Sequence, residues 1–333
     1  MARKVLVLTS GGLDSILTLK IMEKAGLDVI GLHFVTWFNI PKYKLLNDIA
    51  DGCYIYKGFQ INYIDISKEY TDILLSPSYG YGSAVNPCID CKILFFTKAK
   101  SLMDSFGADF IATGEVLGQR PMTQKLSIMK MIENRSDLTG YLLRPLSAKL
   151  LDPTIPEKLQ WINRNDLYGI SGRGRKKQME LASDLGIAEY PSPAGGCILT
   201  EKQFKVRFKD LVSHTSSINI EDLSILRYGR HFRLSADCKL VIGRNQKENE
   251  VLERIMWGNI KIDTMNIPGP FSTMEWPGKI SLLKMAFNII ARYSDYCGAP
   301  EHIQFRIKYN NQEKTIIYRG TPDEILSESK IIR

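Results

Sequence analysis

No apolar run in this sequence comes near the roughly 18–20 residues that a membrane span requires, so the chain is not expected to cross a bilayer. A secretion signal is not expected either. Met1-Ala2-Arg3-Lys4 runs straight into Val5-Leu6-Val7-Leu8, an apolar stretch too short for a signal-peptide core. Cysteine is sparse, six in 333 residues, which excludes a disulfide scaffold and leads to the expectation of a reducing cytoplasm. Neither Gly-x-Gly-x-x-Gly nor Gly-Lys-Ser/Thr occurs, so the dinucleotide fingerprint and the Walker loop are both absent. Internal repeats and low-complexity segments are absent too. What remains is an ordinary globular composition, 44% hydrophobic and 24% charged, too apolar for a disordered chain. At roughly 100–200 residues per domain the length predicts two or three domains. Lys and Arg number 44 against 36 Asp and Glu, a net +8 that leans toward a polyanionic partner.

Val5–Leu8 reads as a strand buried on both faces. A turn, Thr9-Ser10-Gly11-Gly12-Leu13-Asp14-Ser15, leads from it into a helix with Leu13, Ile16 and Leu17 on one side, and Gly26 stands where that helix would end. Strands are predicted at Val29–Phe34 and Ile61–Ile66, and a helix at Lys92–Phe106 with Phe95, Ala99, Leu102, Met103 and Phe106 inward, closed by Gly107. Asp109–Ala112 follows as a strand. This alternation predicts a doubly wound parallel α/β domain. From about 140 to 200 the chain is irregular and rich in Pro and Gly. Within it Arg173-Gly174-Arg175-Lys176-Lys177 leads a helix with Met179, Ala182 and Leu185. Beyond about 215 the pattern changes to a smaller α+β unit. It comprises a strand at Leu240–Ile242, a turn at Gly243-Arg244-Asn245, helices over Gln246–Trp257 and Leu282–Tyr293, and a hairpin over Ile303–Tyr318 turning at Asn310-Asn311.

A Gly-Gly turn between a buried strand and a helix presents backbone N–H groups to an anion, and the helix dipole helps. Ser10 and Ser15 add hydroxyls, and Asp14 could orient Mg²⁺ or the turn itself. The plain alternative is an ordinary strand–helix turn. Ser10-Gly11-Gly12-Leu13-Asp14-Ser15 after an N-terminal strand resembles the PP-loop of the N-type ATP pyrophosphatases, a HUP-like fold. The resemblance implies that the loop grips the pyrophosphate of ATP while the α-phosphate is attacked. It further implies nucleotide contacts from Leu8, Ser10, Gly11, Gly12, Asp14, Ser15, Phe34, Thr113 and Gly114. Gly31-Leu32-His33-Phe34 would line the adenine through main-chain groups, with His33 structural. Ala112-Thr113-Gly114 resembles the second nucleotide turn of tRNA-thiolating members, which usually continue with His where this chain has Glu115.

Asn86-Pro87-Cys88-Ile89-Asp90-Cys91 places a C-x-x-C at a helix start, where the dipole is expected to lower a thiol pKa. The spacing alone is open to zinc, redox and iron–sulfur readings. Cys197 lies far downstream in a Gly-Gly-Cys turn; no fourth cysteine in paired spacing and no nearby His supports a closed zinc site. Cys53, Cys238 and Cys297 read as inert. Asn-Pro-Cys-x-x-Cys, the later Gly-Ala-Asp-x-Ile-Ala-Thr-Gly, Gly118-Gln119-Arg120-Pro121-Met122, Leu142-Leu143-Arg144-Pro145-Leu146-Ser147 and Pro193-Ala194-Gly195-Gly196-Cys197 resemble the tRNA 2-thiouridine synthase family over residues 1–205. That resemblance implies catalytic roles for Cys88, Cys91, Cys197 and Asp14. Two mechanisms stay open. In one, a cysteine persulfide carries sulfur and another thiol resolves it. In the other, favoured one, the three cysteines ligate a [4Fe–4S] cluster whose fourth iron is vacant.

Arg173, Arg175, Lys176 and Lys177 are read as RNA phosphate contacts rather than a solvated helix start. Val241-Ile242-Gly243-Arg244-Asn245-Gln246-Lys247-Glu248-Asn249 with Ile267-Pro268-Gly269-Pro270 is similar to the RNA-binding domain of the NFACT family. The expectation is therefore an ATP pyrophosphatase domain over 1–205 and an RNA-binding α+β domain over 215–333. Together they would form an ATP- and Mg²⁺-dependent tRNA sulfurtransferase fed by sulfide or a persulfide carrier. The rivals are a PP-loop ligase using an amine and an inactive RNA-binding factor.

Overall fold

The computed structural model describes residues 2–41, 43–49, 52–192, 196–295, 302–310, 312–319 and 330–332. Cys297, Pro193-Ala194-Gly195 and Asn311 lie outside these residues. The chain divides into two compact units, one of Met1–Thr36 with Ala50–Gly196 and the other of Trp37–Ile49 with Cys197–Arg333.

In the first unit β1 (Lys4–Leu8), α1 (Leu13–Lys24) and β2 (Asp28–Val35) follow in turn, then β3 (Gly52–Tyr56), β4 (Phe59–Asp65), α2 (Ser67–Leu75), α3 (Cys88–Phe106), β5 (Phe110–Thr113), α4 (Leu126–Arg135), β6 (Leu142–Leu143), α5 (Ile155–Lys158) and α6 (Lys176–Asp184). The six strands lie in the order β3-β4-β2-β1-β5-β6. All pair in parallel except β3, which joins β4 antiparallel. Val5, Leu6 and Val7 are fully buried, as expected of a central strand covered on both faces. One face packs Val5, Val7, Ile61 and Ala112 against Leu13, Leu17 and Ala182, and the other packs Leu6, Leu32 and Ile111 against Phe96 and Ala99. The doubly wound α/β expectation is borne out. Gly26 at φ +80° ends α1 in the left-handed region, and Gly107 at φ +63° ends α3, with Ala108 N–H returning to Met103 O at 2.9 Å. Phe95 packs against the core as expected, beside Phe96, the fully buried ring of α3. One inward assignment changes: Met179 is 50% exposed while Leu181 and Ala182 carry the contact of α6.

The second unit contains α7 (Lys202–His214), α8 (Ile220–Ser224), β7 (Arg230–Ser235), β8 (Cys238–Ile242), α9 (Gln246–Arg254), β9 (Ile260–Thr264), β10 (Ser272–Glu275), α10 (Ile280–Arg292), β11 (Ile303–Tyr309), β12 (Gln312–Tyr318) and β13 (Lys330–Ile332). Its seven described strands form one antiparallel sheet, β12-β11-β9-β10-β8-β7-β13, backed by Leu283, Phe287 and Ile290 of α10. Residues Trp37–Ile49 belong here for physical reasons. Arg227 donates to Trp37 O at 2.8 Å and Ile40 O at 2.9 Å, Tyr228 Oη donates to Lys44 O at 2.7 Å, and the Trp37 ring stacks on Phe204. Asp210 joins α7 to the sheet through Arg233 at 2.7 Å and Lys239 at 3.2 Å.

Candidate functional site

Pairing of Leu8 with Leu32 on one side and Thr113 on the other brings three strand ends together beside the glycine turn. This is the carboxyl edge of a parallel sheet, where ligands of open α/β folds bind. Gly11, at φ +72° with open space where a Cβ would stand, lets the chain reverse. Gly12 is the N-cap of α1 and brings no side chain to cap it, so the first backbone N–H groups of the helix are left to a ligand or water. Ser15 Oγ donates to Gly12 O at 2.8 Å and accepts from Ser10 N–H at 3.4 Å, closing the loop on itself. Thr9 N–H donates to Leu32 O at 2.8 Å and fixes the loop against β2. Gly114 is required by contact: a Cβ there would stand 2.5 Å from Asp14 O. Phe34 is buried against Phe95, ring centroids 5.5 Å apart, so Phe34 closes the base of this edge rather than lining its surface.

Asp14 is the loop's acid. Gln119 Nε2 donates to its Oδ2 at 3.1 Å, while Oδ1 is buried without a hydrogen-bond partner. Burial pushes the carboxyl above its ordinary value, and Gln119, Arg175, Arg120 and Gln178 pull against that rise. A buried carboxylate oxygen with no donor of its own fits a divalent cation such as Mg²⁺, which prefers oxygen ligands. Gln119, Arg120 and Gln178 were not assigned from sequence; Gln119 and Arg120 sit in a recognised motif, but their direction toward Asp14 depends on tertiary packing. That packing ties Leu117 to Ser171 in a parallel bridge, with Gly172 N–H on Leu117 O at 2.8 Å. Of the basic run, Arg175 is therefore half-buried with its charge acting on Asp14, while Arg173, Lys176 and Lys177 are exposed.

Cys88 opens α3 after Pro87, with Cys91 N–H donating to Pro87 O at 2.8 Å in the first turn. Asp90 between them is buried and accepts from Ser78 N–H at 2.9 Å and Tyr79 N–H at 3.2 Å, holding the preceding loop on the helix start. The expected lowering of the thiol pKa is reversed at Cys88. Burial pushes the thiol up, against the opposing charges of Arg120 and Lys92. Cys197 starts the second unit and its carbonyl accepts from Thr200 Oγ1 at 2.6 Å. The first unit by itself thus supplies two of the three thiols. Among the described residues no group of three or more His, Cys, Asp and Glu side chains is placed to hold a metal. Cys53 is exposed, and Cys238 is buried with its thiol pushed up to about 12.

Glu115, the departure from the His of relatives, is 3% exposed and joins two cations. Lys92 Nζ stands 3.2 Å from Oε1 and Arg144 Nε donates to Oε2 at 3.1 Å. Burial pushes this carboxyl up, but Lys92 and Arg144 outweigh it and hold it below its ordinary value. Arg144 also binds Glu133 at 2.6 Å, and Glu133 accepts Gly140 N–H at 2.9 Å. His33 packs at a tilt against Tyr63, and burial lowers its pKa against a bond to the Thr9 backbone, which agrees with a structural role. In the second unit the Gly-Arg-Asn motif is explained by packing. Asn245 caps α9 by accepting from Glu248 N–H at 3.1 Å, Arg244 clasps Glu248, and a Cβ on Gly243 would collide with Asn249 Oδ1.

The sheet order and the glycine turn at its carboxyl edge define a nucleotide-type HUP α/β unit joined to a separate antiparallel domain. Residues 3–158 match the family described as tRNA methyl transferase HUP domain, and residues 229–327 the family described as NFACT protein RNA binding domain. Among curated relatives, the tRNA-specific 2-thiouridylase MnmA of Listeria welshimeri is 26% identical over 213 residues, 61% of this chain and 54% of that protein. The protein of the same description from Petrotoga mobilis is 27% identical over 252 residues, 69% of this chain and 64% of its own. The chain spans about half the length of the first of these relatives. A solved structure described as a predicted subunit of tRNA methyltransferase from Methanocaldococcus jannaschii covers 66% of this chain and 91% of its own at 20% identity and TM-score 0.36, too low a likeness to build on. The resemblance to PP-loop tRNA-thiolating proteins with an NFACT-type RNA-binding domain is borne out. No helix among the described residues is long and apolar enough to cross a membrane.

Proposed function

We propose that this chain is an ATP-dependent sulfurtransferase acting on a tRNA uridine, with a PP-loop domain over residues 1–205 and an RNA-binding domain over 215–333. The observation that carries the reading is Asp14, whose buried Oδ1 lacks a partner at the uncapped start of α1. The Gly11–Gly12 turn with Ser10 and Ser15 takes the pyrophosphate portion of ATP, and Leu8, Thr113 and Gly114 bound the nucleoside side, with Phe34 closing the base beneath them. Mg²⁺ on Asp14 would neutralise phosphate charge. The uridine carbonyl oxygen attacks the α-phosphorus and pyrophosphate leaves. Sulfur then attacks the activated carbon, and AMP departs with the original oxygen; a carbonyl oxygen leaves poorly, whereas AMP leaves well. The target base must leave its stack to reach this edge. Arg173, Arg175, Lys176 and Lys177 supply phosphate contacts, and sulfide or a persulfide carrier supplies the sulfur.

Turnover is expected to release AMP and pyrophosphate, and Asp14→Ala to abolish it; ADP and phosphate as products would refute the reading. For the sulfur step two forms stand. In the one the sequence favours, Cys88, Cys91 and Cys197 would hold a [4Fe–4S] cluster. In the other a persulfide carrier passes its sulfane sulfur to one of these thiols, that sulfur attacks the activated carbon, a second thiol takes the carrying cysteine into a disulfide as the thiolated uridine is released, and an external thiol reductant restores both cysteines. Anaerobic purification with iron and acid-labile sulfide measured beside activity tests this. Full activity without iron would establish the persulfide form. Iron that is lost together with activity in each of Cys88→Ala, Cys91→Ala and Cys197→Ala would instead establish the [4Fe–4S] form.

A further inference from the structure

An aromatic row on the first unit is used by none of these steps. All five residues of β3 are exposed at the open edge of the sheet. Register decides which rings share a face. Tyr54 pairs with Ile61, Tyr56 with Phe59 and Gly52 with Tyr63, and across β4 Tyr63 pairs with His33. Residues directly opposite one another project to the same side, and strand residues two apart do likewise. Tyr54, Tyr56, Tyr63 and His33 therefore share one face. The rings touch in sequence, His33 to Tyr63 at 4.8 Å and Tyr63 to Tyr54 at 4.9 Å, the latter edge-on at 79°. Burial, followed by Tyr54 and Tyr56, pushes the Tyr63 phenol up, which agrees with a packed cluster of rings.

The row starts at the nucleotide edge, one residue beyond the Leu32 carbonyl that anchors the PP-loop through Thr9. It ends in solvent, where Tyr54 is 45% and Tyr56 38% exposed. Lys57 lies 5.9 Å from the Tyr56 ring centroid, and it is the single charged residue between Gly52 and Ile64. Exposed apolar edges of this kind are a liability unless a partner covers them. Rings standing on a sheet face beside a cation, with no acid among them, suit bases joined by phosphates: any base offers a π face, and RNA-binding sheets use aromatics in this manner.

We propose that Tyr54 and Tyr63, backed by His33, with Tyr56 and Lys57 at the outer end, form a stacking platform for unpaired RNA nucleotides that flank the target base. This rests on the sulfurtransferase reading, since a base drawn from its stack leaves neighbours in need of a new stacking surface. The test is fluorescence anisotropy of the full chain with 5′-fluorescein-labelled heptauridine, beside ATP affinity and sedimentation. Tyr54→Leu with Tyr56→Leu is expected to weaken heptauridine binding by roughly tenfold or more, given stacking energies of about 1–3 kcal/mol per base. Tyr54→Phe with Tyr56→Phe is expected to restore it, and ATP affinity to stay unchanged. Heptauridine affinity unaltered by the leucine pair would overturn the platform. So would an equal loss of ATP affinity, which would assign the row to adenine, or a wild-type dimer dispersed by the leucine pair with heptauridine binding intact, which would assign it to a second copy. A platform that passes while turnover releases ADP and phosphate would leave the RNA surface standing and remove the proposed reaction.

Discussion

Glu115→Gln isolates the electrostatic cost of a single charge in the first unit. The amide keeps nearly the same volume and one acceptor for Arg144 Nε, so the loss is the negative charge between Lys92 and Arg144. Removing one partner of a buried pair costs about 3–5 kcal/mol because the other charge is stranded. Here the stranding is incomplete. Arg144, 4% exposed, keeps Glu133 at 2.6 Å, and Lys92, 27% exposed, can turn toward water. The expected loss is thus near the lower bound, about 3 kcal/mol. With a urea slope of about 2 kcal/mol per molar, the midpoint of the first unit's transition should fall by roughly 1.5 M with the slope unchanged. The pH dependence carries its own sign. Glu115 has its native pKa held below the ordinary 4.5, so its contribution is fully present above that value. Wild type and variant should differ at neutral pH and converge as pH falls below 4.5 through the native value. A midpoint shift under 0.5 M, or a difference that persists in acid, would refute the charge-pair account.

Gly114→Ala puts a Cβ 2.5 Å from the Asp14 carbonyl and 2.9 Å from Ser15 N; backbone must move, at about 1–3 kcal/mol, and calorimetry should show both a lower melting temperature and weaker ATP binding. In the second unit, burial pushes the Asp210 carboxyl up but Arg233 and Lys239 hold it low. Asp210→Asn would strand Lys239, 1% exposed, and should cost about 3–5 kcal/mol at neutral pH by denaturant titration. Neutralising Arg173, Lys176 and Lys177 together should reduce the log–log salt slope of tRNA binding by about one unit per phosphate contact, while Arg175→Gln should also change ATP affinity; an unchanged slope would assign the run to a solvated face.

Local chemistry made the nucleotide edge legible before any coordinates. Val5–Leu8 is apolar because it is covered on both faces, and Gly11-Gly12 is needed for the turn that follows. The hairpin strand β3 was not legible, since Cys53-Tyr54-Ile55-Tyr56 has no buried side to produce an alternating pattern. Glu115 could be seen only as a departure from relatives. Its partners Lys92 and Arg144 come from α3 and from the turn after β6, and no local rule links them. Likewise the dipole at a helix start was a sound reason to expect a lowered Cys88 pKa, but desolvation is a tertiary property and here exceeds it. Met179 and Leu181 show the same limit at smaller scale: both fit a helical stripe, and packing against α1 selects the second.

The segment Trp37–Ile49 has a consequence for synthesis of the chain. Its docking partners are Phe204, Arg227, Tyr228 and Arg254, the last of them 206 residues beyond its partner Asp48. At about 5–20 residues per second on the ribosome, roughly 10–40 s pass between the appearance of Asp48 and that of Arg254. For that interval Trp37 and Ile40, buried in the finished protein, have no core to enter while β1, α1 and β2 already exist on one side of them. A nascent chain paused short of α7 therefore displays an apolar strap between the second strand and the β3–β4 hairpin, and it is there that a holdase would find its first binding site.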